Sequence, residues 1–287
     1  MSFPPPPEDG FTEDRVIWLF GHPRSGTTWL ARLLTDGFGL KMWNEPYLVQ
    51  VLGFANRLQR NEPGRFDDET FWMSHPQEGN WTASLNLFLA DVIARQGGPA
   101  ACHAGLVIKE PNGSPFAPTL MKAMPEAKVI FMLRDPRDVI ASLIDARKPG
   151  SWMDQRVTGD FDRGSIVNGS VRRFLRIGDV LDELAEIAPG RICEVRYEDL
   201  RADTTAEMQR IASVLGLPVD AAVISAAVER HAYEAIPEDK KGPGMFVRTA
   251  RVGGWRDELK PGEIERITRT LEGFLAAKGY PTEEGPA

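Results

Sequence analysis

Glycines, hydroxyls and a missing lysine single out the sequence VIWLFGHPRSGTTWLARLL at residues 16–34. An apolar run, a short turn and a helix-like stretch follow one another there, as in the phosphate-binding template G-x-x-x-x-G-K-[ST]. Gly21 and Gly26 keep the template spacing, and Thr28 takes the hydroxyl position. Thr27 stands where the template has the lysine that reaches the outer phosphates of a nucleoside triphosphate. The stretch therefore predicts an anion-binding turn but argues against ATP chemistry.

The positive charge of this turn lies three residues before the lysine position, at Arg24. A guanidinium offers a fork of donors that suits phosphate or sulfate oxygens. The hydroxyls of Ser25, Thr27 and Thr28 follow it, and backbone N–H groups at a helix start also face an anion. The alternative is an ordinary glycine-rich turn with a capping threonine.

A second arginine follows a second apolar run. In VIFMLRDPRDVIASL, Arg134 comes at the end of the predicted strand and Ser142 eight residues later. An arginine at the carboxyl end of a strand, beside a helix that starts at Asp135-Pro136, is well placed for a terminal phosphate. The alternative is that Arg134 pairs with Asp138 and that Ser142 packs within the helix.

The order and spacing of these two motifs resemble the sulfotransferase family. PRSGTTWL resembles the family's 5′-phosphosulfate loop, in which a basic residue precedes S-G-T-T-W, and LRDPRDVIASL resembles its 3′-phosphate element. The resemblance implies the donor 3′-phosphoadenosine 5′-phosphosulfate (PAPS), with Arg24 on the transferred sulfo group and the 5′-phosphate. It implies that Arg134 and Ser142 bind the 3′-phosphate. Further donor-binding residues implied at the loop are Ser25, Gly26, Thr27, Thr28 and Trp29.

Two later segments match the family in part. FVRTARVGGW resembles the segment R-K-G-x-x-G-x-W through Arg248, Gly253 and Trp255, while the lysine and the first glycine are replaced. The resemblance implies that Arg248 is a second 3′-phosphate ligand and that Gly253 belongs to the donor site; the alternative is a solvent-facing arginine. RYEDL resembles the family's Y-E-D segment, which implies that Tyr197 lies near the adenine or the ribose unless it is a core tyrosine.

The general base differs from that of the family's cytosolic aryl and steroid branch. That branch has Lys-x-His at the end of a central strand, whereas VIKEPNGS keeps Lys109 and has Pro111 at the histidine position. The sequence is closer to the protein-tyrosine and heparan branches, whose base is a glutamate after the first helix. That segment is KMWNEPYL here, so the resemblance implies Glu45 as the base. The alternative is a surface or N-capping acid ahead of Pro46.

Other groups could take the proton. Glu110 is the second candidate because it adjoins Lys109, and His22 and His103 stay open, although a lone histidine is more often structural. In this interpretation Arg24 and Lys109, with the loop amides, stabilise the leaving phosphate, and positioning supplies much of the rate. No metal is expected, because no His/Cys ligand cluster accompanies the incomplete loop.

These residues need a parallel sheet to bring them together. Four apolar runs predict strands, each followed by a loop and a helix-like stretch, which is typical of a parallel sheet covered on both faces. The predicted fold class is a three-layer α/β domain that resembles P-loop nucleotide-binding folds. The predicted strands are VIWLFG from Val16, GLVIK from Gly105, KVIFML from Lys128 and RICEVR from Arg191. The predicted helices are Thr27–Asp36, Trp81–Arg95, Pro136–Asp145, Val167–Ile187, Thr204–Leu215, Asp220–His231 and Pro261–Lys278.

Three stretches break this alternation, and one of them bears on the acceptor. Residues 43–80 are rich in aromatic side chains, and polar, glycine-containing loops begin at Lys148 and Ala235. Long loops in a compact domain often serve as lids or binding segments, and ligands of open α/β sheets lie at the carboxyl ends of the strands. The aromatic density favours a small apolar or aromatic acceptor with a hydroxyl or amine. A packed cap is the alternative, and a carbohydrate or protein tyrosine acceptor stays open.

The bulk composition sets the remaining expectations. The chain has 287 residues, 42% apolar and 26% charged, which suits a single domain over residues 15–287 after a flexible leader at residues 1–14. A net charge of −7 argues against nucleic-acid binding. Cys102 and Cys193 match neither a disulfide framework nor metal spacing. Without a signal peptide or a membrane-length apolar stretch, we expect a cytoplasmic protein with no membrane partner.

Two rival functions stay open from the sequence. A P-loop small-molecule kinase is opposed by Thr27 at the lysine position. A non-catalytic regulator that binds PAP, the desulfated product of PAPS, would keep the nucleotide site and lack a base. The chain is expected to act on a small-molecule acceptor, as a monomer or a homodimer.

Overall fold

A five-stranded parallel sheet forms the centre of the molecule. The computed structural model describes residues 12–49, 78–154 and 161–282, and within the helix at residues 78–104 it describes the side chains of 82–97 and 104. The strands are β1 Val16–Gly21, β2 Lys41–Asn44, β3 Leu106–Lys109, β4 Lys128–Leu133 and β5 Ile192–Arg196. They lie in the order β2-β3-β1-β4-β5, and all four neighbouring pairs are parallel.

Helices cover both faces of this sheet, which confirms the predicted three-layer α/β class. Their bounds are α1 Thr27–Phe38, α2 Glu78–Ala104, α3 Ala117–Ala123, α4 Pro136–Arg147, α5 Arg163–Ile187, α6 Tyr197–Ala202, α7 Thr204–Leu215, α8 Ala221–Arg230, α9 Trp255–Glu258, α10 Pro261–Thr270 and α11 Glu272–Ala277. Short 3-10 helices span Glu13–Arg15, Pro111–Phe116, Tyr233–Ala235 and Glu238–Lys240.

The central strand β1 explains why its sequence is a continuous apolar run. Ile17 and Leu19 point to the face covered by α1, α7 and α8, and Trp18 and Phe20 point to the face covered by α3, α4 and α5. All four side chains are buried, because a strand in the middle of a doubly covered parallel sheet has no solvent face.

The four predicted strands are confirmed, and the structure adds an edge strand that the sequence did not predict. Lys41–Asn44 is β2, which pairs with β3 in a register that sets Asn44 opposite Lys109. Its side chains are exposed or half-buried, so the strand lacks the apolar run by which the others were found. The single helix predicted at Pro261–Lys278 is wrong, since α10 ends at Thr270 and a separate α11 follows.

Helix boundaries were less predictable than helix positions. Helix α5 begins at Arg163, four residues before the predicted start, because the Asp162 carboxylate caps it by accepting from the N–H groups of Gly164 and Ser165. The N-cap at Asp135 is as predicted, with its side chain accepting from the Arg137 N–H. Cys193 is buried in the core, whereas the side chain of Cys102 lies outside the described part.

The strand order brings the predicted residues to one edge of the sheet. The chain leaves β1 next to β3 on one side and β4 on the other, so the segments after these three strands converge. In a parallel sheet the connections on either side of such a central strand diverge and leave a crevice for a ligand. The loop at residues 21–27, Glu110 and Arg134 all follow strands at this edge.

Candidate active site

The turn after β1 is held in a left-handed conformation before α1 begins. The Ser25 N–H donates to the His22 carbonyl at 3.0 Å, and Gly26, with φ of 103°, directly precedes α1. A Cβ atom at Gly26 would lie 2.7 Å from Cδ2 of Tyr197, so glycine is required where the turn passes this ring. Arg24 is also left-handed, with φ of 77°. The turn therefore presents the first N–H groups of α1, which have no intrahelical partners, to an anion.

Ser114, from the 3-10 helix after β3, fixes the start of this turn. Its hydroxyl accepts from the Gly21 N–H at 3.1 Å and donates to the Gly21 carbonyl at 2.8 Å. The side chain is fully buried. Sequence reasoning missed Ser114, because serine in an NGSP segment signals only a turn.

Arg24 reaches across the edge to two distant segments. Its Nε donates to Ser142 Oγ at 3.3 Å, and its Nη2 donates to the Phe246 carbonyl at 2.7 Å. The guanidinium carbon lies 5.3 Å from the ring centroid of Trp152 and 5.2 Å from that of Phe246. Burial, and then the charges of neighbouring arginines, lower the pKa of Arg24 to about 10, so it stays protonated at neutral pH. Neither aromatic residue was a predicted site residue.

Arg134 lies beside the turn with part of its donor capacity unused. Its Nη2 donates to the Arg251 carbonyl at 2.9 Å and its Nη1 to the Arg24 carbonyl at 3.4 Å. The guanidinium stacks 4.1 Å from the ring centroid of Tyr197. Its Nε is buried and has no hydrogen-bond partner among the described residues, and Asp138 is 4.0 Å away, at the limit of an ion pair. A buried donor that lacks an acceptor suits a ligand oxygen.

Asp138 serves mainly to anchor the late loop. Its Oδ2 accepts from the Gly253 N–H at 2.7 Å and its Oδ1 from the Trp255 N–H at 3.0 Å. Burial raises the pKa of Asp138, while Arg134 and these two N–H groups oppose that shift. The glycine and tryptophan that matched the family segment thus attach this loop to α4.

The same loop carries Arg248 into the site. The side chain is 9% exposed and forms an ion pair with Glu258, so the solvent-facing alternative is wrong. Tyr233 donates from its hydroxyl to the Arg248 carbonyl at 3.1 Å, and Tyr197 donates to the Ala250 carbonyl at 3.2 Å. Tyr197 is buried, and its ring lies beside Gly26 of the turn, while its place near the adenine or the ribose stays a prediction.

Lys109, at the end of β3, joins the candidate base to the turn. Its side chain is 3% exposed, and its Nζ lies 2.5 Å from Glu45 Oε1 and 3.3 Å from Thr28 Oγ1. The Glu45 N–H donates to the Lys109 carbonyl at 2.8 Å, with φ of 53° at Glu45. Such a left-handed conformation in a non-glycine residue costs roughly 1–3 kcal/mol and is held by its surroundings.

The carboxylate of Glu110, the second candidate base, accepts hydrogen bonds from the backbone of the segment that carries Glu45. Its Oε1 accepts from the Leu48 N–H at 2.7 Å and its Oε2 from the Val49 N–H at 3.3 Å. The carboxyl is buried, and this burial raises its pKa, although the backbone N–H groups oppose the shift. Glu110 thus holds the segment after β2 in place.

Of the two histidines left open by the sequence, His22 lies in the described part of the chain. His22 is buried, stacks on Phe174 at 4.7 Å between ring centroids, and donates from Nδ1 to the Pro23 carbonyl at 2.7 Å. Burial, followed by the charge of Arg173, lowers its pKa to about 3, so the ring is neutral. The side chain of His103 lies outside the described part.

A cavity of about 330 Å³ joins these groups. Glu45 is its one lining carboxylate among the described residues. Gly253 and Glu110 are not among the lining residues. Seven cationic side chains line it: Arg24, Arg32, Lys109, Arg134, Arg201, Arg230 and Arg248. The cavity is therefore strongly cationic in a chain of net charge −7, as suits a polyanionic ligand.

Trp29 is another aromatic residue that lines the cavity. Its indole N–H donates to the His231 carbonyl at 2.9 Å, its ring meets that of Tyr197 edge-on at 5.8 Å, and Arg201 lies 5.7 Å above it. Other apolar and aromatic residues that line the cavity are Leu143, Met153 and Phe246. The cavity thus offers aromatic and apolar surfaces beside its cations.

Two further features were sought in the described residues. No group of His, Cys, Asp or Glu side chains in residues 12–49, 78–154 and 161–282 is arranged to hold a metal ion. Over the same ranges, no helix is both long and apolar enough to cross a membrane. The aromatic residues predicted near the acceptor between positions 50 and 77 lie outside the described part.

Comparisons with known proteins agree with this geometry. Residues 17–221 match the model of a family described as the sulfotransferase family. Rat sulfotransferase 2A6 is 21% identical, with 94% of this chain and 87% of that protein covered. A Caenorhabditis briggsae protein whose name provisionally assigns it to the protein-tyrosine sulfotransferases is 25% identical, with coverages of 94% and 90%.

Solved structures share the fold at low sequence identity. Sulfotransferase STF9 from Mycobacterium avium superposes with a TM-score of 0.58 at 14% identity, covering 94% of this chain and 78% of that chain. Mouse sulfotransferase SULT7A1, complexed with PAP, gives 0.55 at 12% identity, covering 94% and 87%. At these identities the likeness establishes the fold.

Proposed function

The chain belongs to the sulfotransferase family, and we propose that it transfers a sulfo group from PAPS to a hydroxyl of a small acceptor with Glu45 as general base. The observation that carries the assignment of residues is the Glu45–Lys109–Thr28 cluster. In this cluster the buried Lys109 ammonium lies 2.5 Å from the Glu45 carboxylate and 3.3 Å from the Thr28 hydroxyl of the phosphate turn, at the edge of the sheet.

The donor's anionic groups have matching cations in the cavity. The N–H groups at the start of α1 and Arg24 would bind the 5′-phosphosulfate. Arg134 and Ser142 would bind the 3′-phosphate, because the buried Nε of Arg134 has no acceptor in the part of the chain that the structure describes. Arg248 would help there once it exchanges Glu258 for phosphate. Trp29 offers a ring on which the adenine can stack, beside Tyr197.

The reaction forms a bond from the acceptor oxygen to sulfur and breaks the bond from sulfur to the 5′-phosphate oxygen, which leaves with the electron pair as PAP. Glu45 accepts the acceptor's proton, a role typically worth 10²–10⁴ in rate for a positioned base. Arg24 and Lys109 stabilise the charge that grows on the leaving oxygen. The apolar residues that line the cavity would hold the acceptor in line.

The Lys109–Glu45 ion pair couples the two halves of this step. While Glu45 is ionised, it shares the Lys109 ammonium with Thr28. When Glu45 takes the proton, its attraction for Lys109 falls, and the ammonium is available to the leaving phosphate. Base and electrophile thus respond to the same proton transfer.

Ligand binding distinguishes this function from its rivals. Calorimetry should show PAP binding without magnesium and little binding of ADP or ATP with magnesium, since Thr27 replaces the lysine of the triphosphate loop. Transfer of labelled sulfo groups from PAPS to a panel of phenols and alcohols then separates an enzyme from a PAP-binding regulator. Preferential binding of Mg-ATP would favour the kinase, and PAP binding without transfer to any acceptor would favour the regulator.

A further inference from the structure

Two aromatic rings form a corner beside the guanidinium of Arg24. The ring planes of Trp152 and Phe246 lie at 76° to each other, and their centroids are 5.0 Å apart. The guanidinium carbon of Arg24 is 5.3 Å from the centroid of Trp152 and 5.2 Å from that of Phe246. Both distances fall within the roughly 6 Å over which an aromatic ring attracts a cation. All three residues line the cavity, so the corner belongs to its wall.

The rings come from two separate loops, which hydrogen bonds join to each other and to the end of α4. The Trp152 N–H donates to the Gly244 carbonyl at 3.0 Å. The Gly244 N–H donates to Oδ2 of Asp145 at 2.9 Å, and the Ser151 hydroxyl donates to the Asp145 carbonyl at 2.8 Å. Asp145 is buried in the last turn of α4. The two loops are thus held together, and the rings meet where Arg24 reaches them.

Ring contacts support Arg24 in a way that its present hydrogen bonds cannot. The guanidinium donates to Ser142 Oγ and to the Phe246 carbonyl, and a bound sulfo group would take N–H donors from these neutral acceptors. Those hydrogen bonds therefore cannot fix the guanidinium once the donor is bound. An aromatic ring attracts the charge without supplying an acceptor oxygen, so its contact can persist while the N–H groups bind the donor.

We propose that Trp152 and Phe246 are positioning residues for sulfo transfer, which hold the Arg24 guanidinium against the phosphosulfate of the donor. This inference rests on the proposed function, because it takes Arg24 as the group that binds the transferred sulfo group and the 5′-phosphate. The ring carbons also fill space beside the guanidinium that water would otherwise occupy. A drier environment strengthens the attraction between Arg24 and the charge that grows on the leaving oxygen.

Leucine variants test this role, because Trp152→Leu and Phe246→Leu keep an apolar side chain and remove the ring. Each should lower the kcat of labelled sulfo transfer from PAPS by about 3–30-fold, the range of a cation–π contact. Calorimetry should show a similar loss of affinity for PAP, whose 5′-phosphate meets Arg24. Adenosine 3′-phosphate lacks that group and should bind wild type and variants almost equally. Trp152→Phe should keep most of the wild-type turnover, and an equal loss of both ligands in the leucine variants would overturn the proposal.

A double-mutant cycle separates an effect through Arg24 from any other effect of the ring. Arg24→Met removes the guanidinium, so adding Trp152→Leu to it should change the remaining kcat by less than about twofold. The same loss from Trp152→Leu with and without Arg24 would show that the ring acts on the acceptor or on the fold, and would overturn the proposal. If the turnover of Arg24→Met is too low to measure, the cycle is read from PAP affinity with the same two outcomes.

A matched control is an aromatic residue of equal exposure outside the site. Phe88 on α2 is 43% exposed, Phe246 is 42% exposed, and Phe88 does not line the cavity. Phe88→Leu should leave kcat and both affinities unchanged, and a loss equal to that of Phe246→Leu would overturn the proposal. Circular dichroism checks folding, and Phe246→Leu carries the test if Trp152→Leu does not fold. Transfer and PAP binding that the leucine variants leave unchanged would overturn the positioning role alone, whereas a wild type that does not bind PAP would overturn the proposed function.

Discussion

Among the described residues, the Arg24 side chain at the sheet edge donates its hydrogen bonds to neutral groups. Arg24 replaces the lysine of the nucleotide loop, and its fork is already divided between Ser142 and the Phe246 carbonyl. When a sulfo group binds, Arg24 would exchange these neutral acceptors for a charged one. Charge-assisted hydrogen bonds are roughly twice as strong as neutral ones. A donor-bound state is favoured at Arg24 for this reason.

Arg134 carries the first residue-scale prediction. Its replacement by alanine removes a charge-assisted contact to the 3′-phosphate, so PAP affinity should fall about 10–100-fold. Adenosine 5′-phosphosulfate lacks that phosphate and should bind the wild type and Arg134→Ala almost equally. Calorimetry with both ligands measures the difference. If the variant loses both ligands alike, Arg134 is structural and the 3′-phosphate assignment fails.

The sequence was sufficient for those residues that follow a motif and insufficient for those that arrive from loops. Arg24, Thr28 and Arg134 could be predicted because strand, turn and helix fix their relative positions. Trp152 and Phe246 contact Arg24 from segments 128 and 222 residues away along the chain, and no local pattern specifies such packing. Glu45 was predicted through a resemblance alone; its partnership with Lys109 required the register of β2 against β3.

At the scale of elements, the short strand β2 and the segment after it position the candidate base, Glu45. The strand ends at Asn44, and Glu45 and Tyr47 then adopt left-handed φ values of 53° and 61°. These strained residues are held because the Glu110 carboxylate accepts from the N–H groups of Leu48 and Val49. The backbone conformation at Glu45 therefore depends on the buried carboxylate of Glu110, which directly follows β3.

The buried Glu110 gives a testable pH dependence of stability. Burial raises its pKa in the folded protein above the ordinary value of 4.5, so the native state binds more protons than the unfolded chain in the window just above that value. The free energy of unfolding should consequently fall as the pH rises through this window. Glu110→Gln lacks this titration. The free energy of unfolding of the wild type should therefore fall relative to that of the variant as the pH rises from about 4.5 to 7.

Urea denaturation at several pH values measures the difference in the free energy of unfolding between wild type and Glu110→Gln. The contributions of the other titrating groups, which both proteins share, cancel in that difference. An exposed acid, Glu265→Gln, serves as the control because its side chain is 70% exposed. A difference that is flat with pH would show that Glu110 ionises freely in the folded protein.

Strands could be predicted where the sequence is strongly apolar, but not where a segment becomes a strand only by pairing with its neighbour. The segments that form β1, β3 and β4 are continuous apolar runs, so their burial could be predicted from the sequence. By contrast, β2 is a strand because β3 offers a free edge, which is a property of the sheet. Helices α10 and α11 share one periodic pattern in sequence, yet the chain turns at Leu271, whose φ and ψ of −105° and 16° interrupt the helix.

At the scale of the whole molecule, charge is separated between surface and cavity. The chain carries −7 overall, while seven cations and one carboxylate line the cavity among the described residues. The net charge argued against nucleic acid as a partner, but it could not reveal the positive potential inside the cavity. A polyanion is attracted by the local potential, even though the whole protein is acidic.

Because arginines and lysine supply the positive charge, we expect donor binding and turnover to persist in excess EDTA. No group of His, Cys, Asp or Glu side chains in residues 12–49, 78–154 and 161–282 is arranged to hold a metal ion, and Thr27 replaces the lysine that reaches the outer phosphates of a nucleoside triphosphate. PAP titrations and labelled transfer, each with and without EDTA, measure this. Strict dependence on magnesium would revive the kinase-like alternative.

Turnover of Glu45→Gln, set against its affinity for PAP, tests the central claim most directly. Glutamine keeps the shape and can still accept from Lys109 but cannot take a proton, so we expect kcat to fall about 10²–10⁴-fold with PAP affinity nearly unchanged. Glu110→Gln, assayed beside it, should retain far more activity because its carboxylate is engaged by backbone N–H groups. Near-normal turnover in Glu45→Gln together with an inactive Glu110→Gln would contradict the account and make Glu110 the base.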